Sequence, residues 1–234
     1  MPRYFALVPA AGNGSRFGGD KPKQYATIEG KTLLQHAIEA LAAAVPLECA
    51  YVALSDHDVW FDREVVSVEG VGVTAMRCGG ATRAATVAHT LERITDVRPD
   101  DWILVHDAVR PCIDAESLGR LIAEVGDDPV GGLLAVPAAA TLKRSDPSGR
   151  SVRTEPRDGI WHAQTPQMFR YSVLREAMAH PDAESATDEA QAVEALGLYP
   201  RLVAGSRANV KVTFPGDLLL AAAILATRGA TPGG

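Results

Sequence analysis

Along residues 4–136, short apolar runs alternate with longer stretches whose apolar positions recur at helical spacing. The runs Tyr4–Val8, Ala50–Leu54, Val71–Met76, Trp102–His106 and Gly131–Val136 are bounded by Gly, Pro or polar residues. Runs of this kind predict buried strands. Between them, Leu33–Ala44, Arg83–Ile94 and Ala115–Val125 predict helices. In the last, Leu118, Leu121, Ile122 and Val125 share one face. Such alternation predicts βαβ units, and so an α/β fold with a mostly parallel sheet and helices on both faces. Ligands of such sheets bind beyond the carboxyl ends of the strands, so the residues just after each strand are the ones to search for chemistry.

The rhythm breaks between Pro137 and Gly159. Thr141–Arg144 and Ser151–Thr154 read as two extended arms around Asp146-Pro147-Ser148-Gly149, which is good turn chemistry. The arms are too polar to form a core, and a lone two-stranded hairpin is marginal in water. The segment is either a solvated surface loop or an element packed on another subunit. Beyond it, Tyr171–Ala179 and Asp188–Leu196 predict helices, Tyr199–Val203 and Val210–Thr213 strands, and Pro215–Thr227 a closing helix. With no internal repeat and no low-complexity linker, residues 1–234 are expected to form one domain with an arm inserted at about 138–158.

Composition narrows the classes. Of 234 residues, 47% are hydrophobic and 22% charged, which excludes a disordered chain. Lys plus Arg is 23 and Asp plus Glu 29, a net charge of −6 that argues against a general nucleic-acid binder. A nucleotide substrate needs only a local cluster of positive charge. Cys49, Cys78 and Cys112 lack metal-ligand spacing and suit reduced thiols in a cytoplasmic protein. No apolar run reaches 18 residues, so no membrane span is expected.

The loop after the first predicted strand is Pro9-Ala10-Ala11-Gly12-Asn13-Gly14-Ser15-Arg16-Phe17-Gly18. Small residues let backbone N–H groups approach an anion closely. No Gly-Lys-Ser/Thr follows, so this is not the phosphate loop of ATPases. Phe17 stands where the third glycine of the dinucleotide pattern belongs, and Glu29 is a poor candidate for its ribose carboxylate. The loop by itself is either a tight turn or an anion cradle. Arg16 and Lys23 place two cations beside it, which suits a triphosphate under attack at phosphorus.

The stretch Pro9-Ala10-Ala11-Gly12-x-Gly14-x-Arg16, followed by Pro22-Lys23-Gln24-Tyr25, resembles the signature of sugar-nucleotide-type nucleotidyltransferases. In detail it is similar to the 2-C-methyl-D-erythritol 4-phosphate cytidylyltransferase family. The likeness recurs at Gly79-Gly80-Ala81-Thr82-Arg83-Ala84-Ala85-Thr86-Val87, at His106-Asp107-Ala108-Val109-Arg110-Pro111, and at Trp161-His162-Ala163-Gln164-Thr165-Pro166-Gln167. It recurs again at Thr187-Asp188-Glu189-Ala190 and Asn209-Val210-Lys211-Val212-Thr213. Thr86 stands where the family usually has Ser, Ala81 where an acidic residue is frequent, and Val109 where it has Ala.

The resemblance implies a Rossmann-like fold of the nucleotide-diphospho-sugar transferase type with a protruding β-arm. It implies transfer of CMP from CTP to the methylerythritol phosphate, with release of pyrophosphate, in isoprenoid precursor synthesis. CTP would be bound by Pro9, Ala10, Ala11, Gly12, Gly14, Arg16, Lys23, Gly79, Gly80, Arg83, Thr86, Asp107 and Ala108. The acceptor would meet Asp107, Arg110, Thr141, Arg157, Thr165 and Lys211, with Arg16, Lys23, Arg157 and Lys211 in catalytic roles. Asp107 would hold Mg2+. The arm would cross to a second copy in a homodimer, so that Thr141 and Arg157 serve the partner's site. A phosphate nucleophile is already ionised, so His162 is not required as a base. Two rivals share the fold. A ribitol 5-phosphate cytidylyltransferase is favoured only by Val109. A non-catalytic nucleotide-binding regulator would be expected to lose Arg16, Lys23 or Asp107, and all three are present.

Overall fold

The computed structural model describes residues 2–12 and 21–229. In chain order its elements are β1 (Tyr4–Pro9), β2 (Thr27–Ile28), β3 (Lys31–Thr32), α1 (Leu33–Ala44), β4 (Leu47–Leu54), the single turn α2 (Phe61–Glu64), β5 (Gly72–Arg77), α3 (Arg83–Arg93), β6 (Trp102–Val105), α4 (Ala115–Val125), β7 (Gly131–Pro137), β8 (Leu142–Ser145), β9 (Ser151–Glu155), β10 (Trp161–Arg170), α5 (Tyr171–Ala179), α6 (Glu189–Ala195), β11 (Arg201–Ala204) and α7 (Pro215–Gly229). Four helices start where a short polar side chain accepts a first-turn N–H: Thr32 from Gln35, Thr82 from Ala85, Asp114 from Ser117 and Asp188 from Gln191.

The main sheet has the order β11-β7-β10-β6-β1-β4-β5. Its pairs are parallel except that β10 runs antiparallel to both β6 and β7. Side chains alternate across it with a period of two. Ala6 and Val8 of β1 face α1 and α4, packing with Leu34, Ile38, Leu41, Leu118 and Leu121. Phe5 and Leu7 face the opposite way, with Val87 and Leu91 of α3, Leu174 of α5 and Val193 of α6. Helices thus cover both faces, as the alternating pattern predicts.

Three expectations are corrected. The run Val71–Met76 was expected to be buried, but β5 is an edge strand and is partly exposed along its length. Val210–Thr213 joins no ladder; it is a loop segment, held where Val212 N–H donates to the carbonyl of Val109 at 2.9 Å. The Tyr199 end of the predicted strand Tyr199–Val203 is exposed, and β11 begins at Arg201. One strand was not predicted at all, the ten-residue β10. Its ladder with β7 is interrupted between Ala163 and Gln167, around Pro166. A proline has no N–H for a ladder and sits in strands at such irregularities.

The polar segment does form a hairpin. β8 and β9 pair antiparallel, with Asp146 Oδ1 accepting from the backbone N–H groups of Ser148 and Arg150, both at 2.9 Å. Cys49, Cys78 and Cys112 are free thiols; the last two are buried.

Candidate active site

The carboxyl ends of β1, β4 and β6 and the loop after β5 meet around a cavity of about 600 Å3. Its wall is built from small residues where backbones must come close. A Cβ on Gly79 would lie 2.5 Å from the Ala11 Cβ, and one on Gly80 2.5 Å from the Ala85 Cβ. Buried Gln24 donates to the carbonyl of Ala10 at 2.6 Å, tying the turn at 23–25 to the loop after β1. Lys23 therefore lines the cavity together with Pro9, Ala10, Ala11, Gly12, Gly80, Arg83, Thr86, Asp107, Ala108 and Lys211. Thr86 accepts from Gly80 N–H at 3.0 Å and donates its proton to the carbonyl of Thr82 at 2.9 Å. Its hydroxyl first pins the Gly79-Gly80 turn to the start of α3, and its donor is already committed there.

A second cavity of about 120 Å3 adjoins the first. Arg110, Ala163, Gln164, Thr165, Gln167, Thr187 and Asp188 line it, and Arg83, Asp107 and Lys211 line both. At the junction, buried Asp107 meets three cations: Lys211 Nζ at 2.9 Å, Arg83 Nε at 3.0 Å and Arg110 Nε at 3.3 Å. Burial works to raise the Asp107 pKa, but the combined attraction of Arg83, Lys211 and Arg110 holds it well below the usual carboxylate range. On the far side, Arg83 Nη1 meets Glu189 at 2.5 Å. Burial drives the Glu189 carboxyl up, and Arg83 opposes that.

The backbone of Asp107 is fixed by a second network. Burial pushes His106 down to about 4, so the ring is neutral at neutral pH. Its Nε2 faces the carbonyl of Arg110 at 3.1 Å, which can only accept, so Nε2 carries the proton. Nδ1 must then accept from the Thr165 hydroxyl at 3.0 Å, and that hydroxyl accepts in turn from Asp107 N–H at 3.0 Å. Asn209 donates to the Thr165 carbonyl and accepts from Arg110 on its own, both at 2.8 Å. Thr165 was read as a contact for the acceptor's hydroxyls. It does line the smaller cavity, but its proton is spent on His106, so it can meet a substrate only as an acceptor.

Thr165→Val would strand the buried Asp107 N–H and the His106 Nδ1. Each unpaired buried group costs about 1–3 kcal/mol. Urea unfolding should register a loss of at least about 2 kcal/mol for Thr165→Val, and a smaller loss for Thr165→Ser, which keeps the hydroxyl. A valine variant as stable as the parent would mean that the network contributes nothing.

Gly14 and Arg16 lie outside the described residues. Thr141 and Arg157 are exposed on or beside the arm and line neither cavity, and the Arg157 guanidinium donates to the carbonyl of Ala139. Within one chain they are not brought to the site. His106, Glu189 and Asn209 were not singled out in the sequence. A glutamate opening a helix is ordinary N-terminal chemistry, so Glu189 carried no signal that it is wholly buried.

Among the described residues no three His, Cys, Asp or Glu side chains are grouped to hold a metal ion. Mg2+ is commonly bound by one or two carboxylates together with phosphates and water. Asp107, a single ionised carboxylate on the cavity wall, fits an ion that arrives with a triphosphate.

A doubly covered, mostly parallel sheet with cations and one carboxylate at its carboxyl edge, between two adjoining cavities, suits an α/β enzyme that handles phosphates. The family described as IspD, 2-C-methyl-D-erythritol 4-phosphate cytidylyltransferase, matches residues 4–227. The chain is 53% identical over 229 residues to the enzyme of that name from Dechloromonas aromatica, covering 97% of this chain and all of the relative. It is 50% identical over 228 residues to the one from Nitrosospira multiformis, covering 96% and 98%. Crystal structures of such cytidylyltransferases from Francisella tularensis and Thermus thermophilus superpose with TM-scores of 0.79 and 0.76, at 32% and 31% identity. These alignments cover 95% and 97% of this chain and 99% and 100% of the others. The chain belongs to the 2-C-methyl-D-erythritol 4-phosphate cytidylyltransferase family.

Proposed function

We propose that this chain transfers the cytidylyl group of CTP to 2-C-methyl-D-erythritol 4-phosphate, releasing pyrophosphate, as a cytoplasmic homodimer. The observation that carries this reading is the pair of adjoining cavities sharing Arg83, Asp107 and Lys211. The larger has room for a nucleotide; the smaller suits a short polyol phosphate.

An oxygen of the acceptor phosphate attacks the α-phosphorus of CTP. A new P–O bond forms there, the bond to the bridging oxygen of the β-phosphate breaks, and that oxygen leaves with pyrophosphate. Two polyanions must meet, so charge neutralisation and alignment dominate. Lys23, on the wall of the larger cavity, is assigned to the α-phosphate and the leaving group, and the family resemblance gives Arg16 the same role. Lys211 and Arg110, already turned toward Asp107, receive the acceptor phosphate. Asp107 would hold Mg2+, which when bound supplies positive charge along the triphosphate. Thr141 and Arg157 come from the arm of a second copy, a role favoured by their exposure and by their absence from the lining of both cavities. The free thiols suit a reducing compartment. Among the described residues no helix is long and apolar enough to cross a membrane.

The test is pyrophosphate release from CTP and Mg2+ with methylerythritol phosphate or, separately, ribitol 5-phosphate. Release with the first alone is expected. Release with ribitol phosphate alone would keep the site and overturn the acceptor. Release with neither, in a protein that binds CTP, would favour a regulator.

A further inference from the structure

We infer that Glu189 is a positioning residue for cytidylyl transfer, acting through Arg83 to place the carboxylate of Asp107 between the two cavities. The inference rests on the reaction proposed above. Glu189 is fully buried and lines neither cavity, so it cannot touch either substrate. Arg83 lines both.

Arg83 opens α3, where the positive end of the helix dipole disfavours a cation. Its guanidinium is kept there by carboxylates on opposite sides, Glu189 at 2.5 Å and Asp107 at 3.0 Å. The pairing is divided rather than forked. Nη1 goes to Glu189 and Nε to Asp107, while Arg83 Nη2 and Glu189 Oε2 are buried without hydrogen-bond partners. A two-bond fork to Glu189 alone would be the stronger pair. The guanidinium is therefore held in a compromise position that keeps Nε on Asp107.

Glu189 is itself fixed by the sheet. Gln167 of β10 accepts from Ala190 N–H at 2.7 Å and donates to Asp188 at 2.9 Å, bolting the first turn of α6 to the strand. The chain of contacts runs from β10 through α6, Glu189 and Arg83 to Asp107. It also sets the charge of the junction. Arg83, Arg110 and Lys211 against Asp107 and Glu189 leave one net positive charge to meet phosphate.

The experiment is a double-mutant cycle on pyrophosphate release, using Glu189→Gln, Arg83→Gln and the combination. Glu189→Gln should lower kcat at least about tenfold while the KM for methylerythritol phosphate moves less than about threefold, because Lys211 and Arg110 remain. Glu189→Asp, which keeps the charge but draws the carboxylate back by one methylene, should also lower kcat. The combined variant should be no slower than Arg83→Gln by more than about twofold, since both changes act through one guanidinium. Wild-type kcat in either single Glu189 variant, or independent losses that multiply in the combination, would overturn the inference. Arg83→Gln strands the buried Glu189 carboxylate, so if it or Glu189→Gln fails to fold, the kcat-against-KM split of the charge-conserving Glu189→Asp decides the matter. Wild-type protein inactive with methylerythritol phosphate would instead strike the proposed reaction. The same cycle would then be read on whichever acceptor releases pyrophosphate.

Discussion

Asp107→Asn should lower kcat for pyrophosphate release by at least about a hundredfold. The substitution is nearly isosteric, so the effect is one of charge. Three cations approach this carboxylate within 3.3 Å. An amide would offer them one oxygen and turn an NH2 donor toward the rest. With Asp107 neutral, Glu189 alone opposes Arg83, Arg110 and Lys211, and the junction carries two net positive charges. The cations then repel one another, the acceptor phosphate loses its alignment, and the proposed Mg2+ ligand is gone. Breaking a buried ion pair by removing one partner commonly costs about 3–5 kcal/mol, so the variant should also melt at a lower temperature. The sign of the pH dependence follows from the same contacts. Asp107 has a folded-state pKa below its unfolded value, so its stabilisation is present above the unfolded pKa and is lost as pH falls through that value toward the folded one. The check is steady-state kinetics on protein shown by circular dichroism to be folded. A kcat within tenfold of the parent would remove Asp107 from the centre of the reaction.

Much of the site was legible because its residues follow strands that hydrophobic runs announce. Gly12 and Asp107 stand just beyond β1 and β6, and Arg83 opens a helix whose cap, Thr82, can be read in the sequence. What was not legible depends on contacts between distant segments. β10 hides because Gln164, Thr165 and Gln167 make its middle polar and Pro166 interrupts its ladder with β7. The partners that let these side chains be buried are distant in sequence: Gln164 Nε2 donates to Ser206, the Thr165 hydroxyl bonds His106, and Gln167 donates to Asp188. Burial of Glu189 follows from Arg83, 106 residues earlier. Lys211 was placed on a short strand because its neighbours are β-branched. The segment is held instead by Val212 N–H on the Val109 carbonyl, Thr213 N–H on Asp217 and Lys211 on Asp107.

Mixing Lys23→Ala subunits with Arg157→Ala subunits should restore activity that neither has alone. Lys23→Ala should by itself cost a hundredfold or more, since Lys23 is a cation on the wall of the larger cavity. Arg157 lines neither of the two cavities of the site, and the β8–β9 hairpin beside it is open to solvent, with Val152 57% exposed. A polar hairpin with an exposed valine gains little by standing alone and more by packing on a second copy. If the arms exchange across a two-fold axis, each site takes Lys23 from one subunit and Arg157 from the other. A mixed dimer then has one site with both residues intact and one lacking both. At equal amounts and random exchange, half the dimers are mixed, so about a quarter of all sites recover. The measurement is pyrophosphate release after unfolding and refolding the two variants together, with differently tagged subunits recovered as one dimer to prove exchange. Recovery toward a quarter of the wild-type rate is expected. A confirmed mixed dimer that stays inactive would mean that Arg157 serves its own chain or none, and the arm would have to be explained without a shared site.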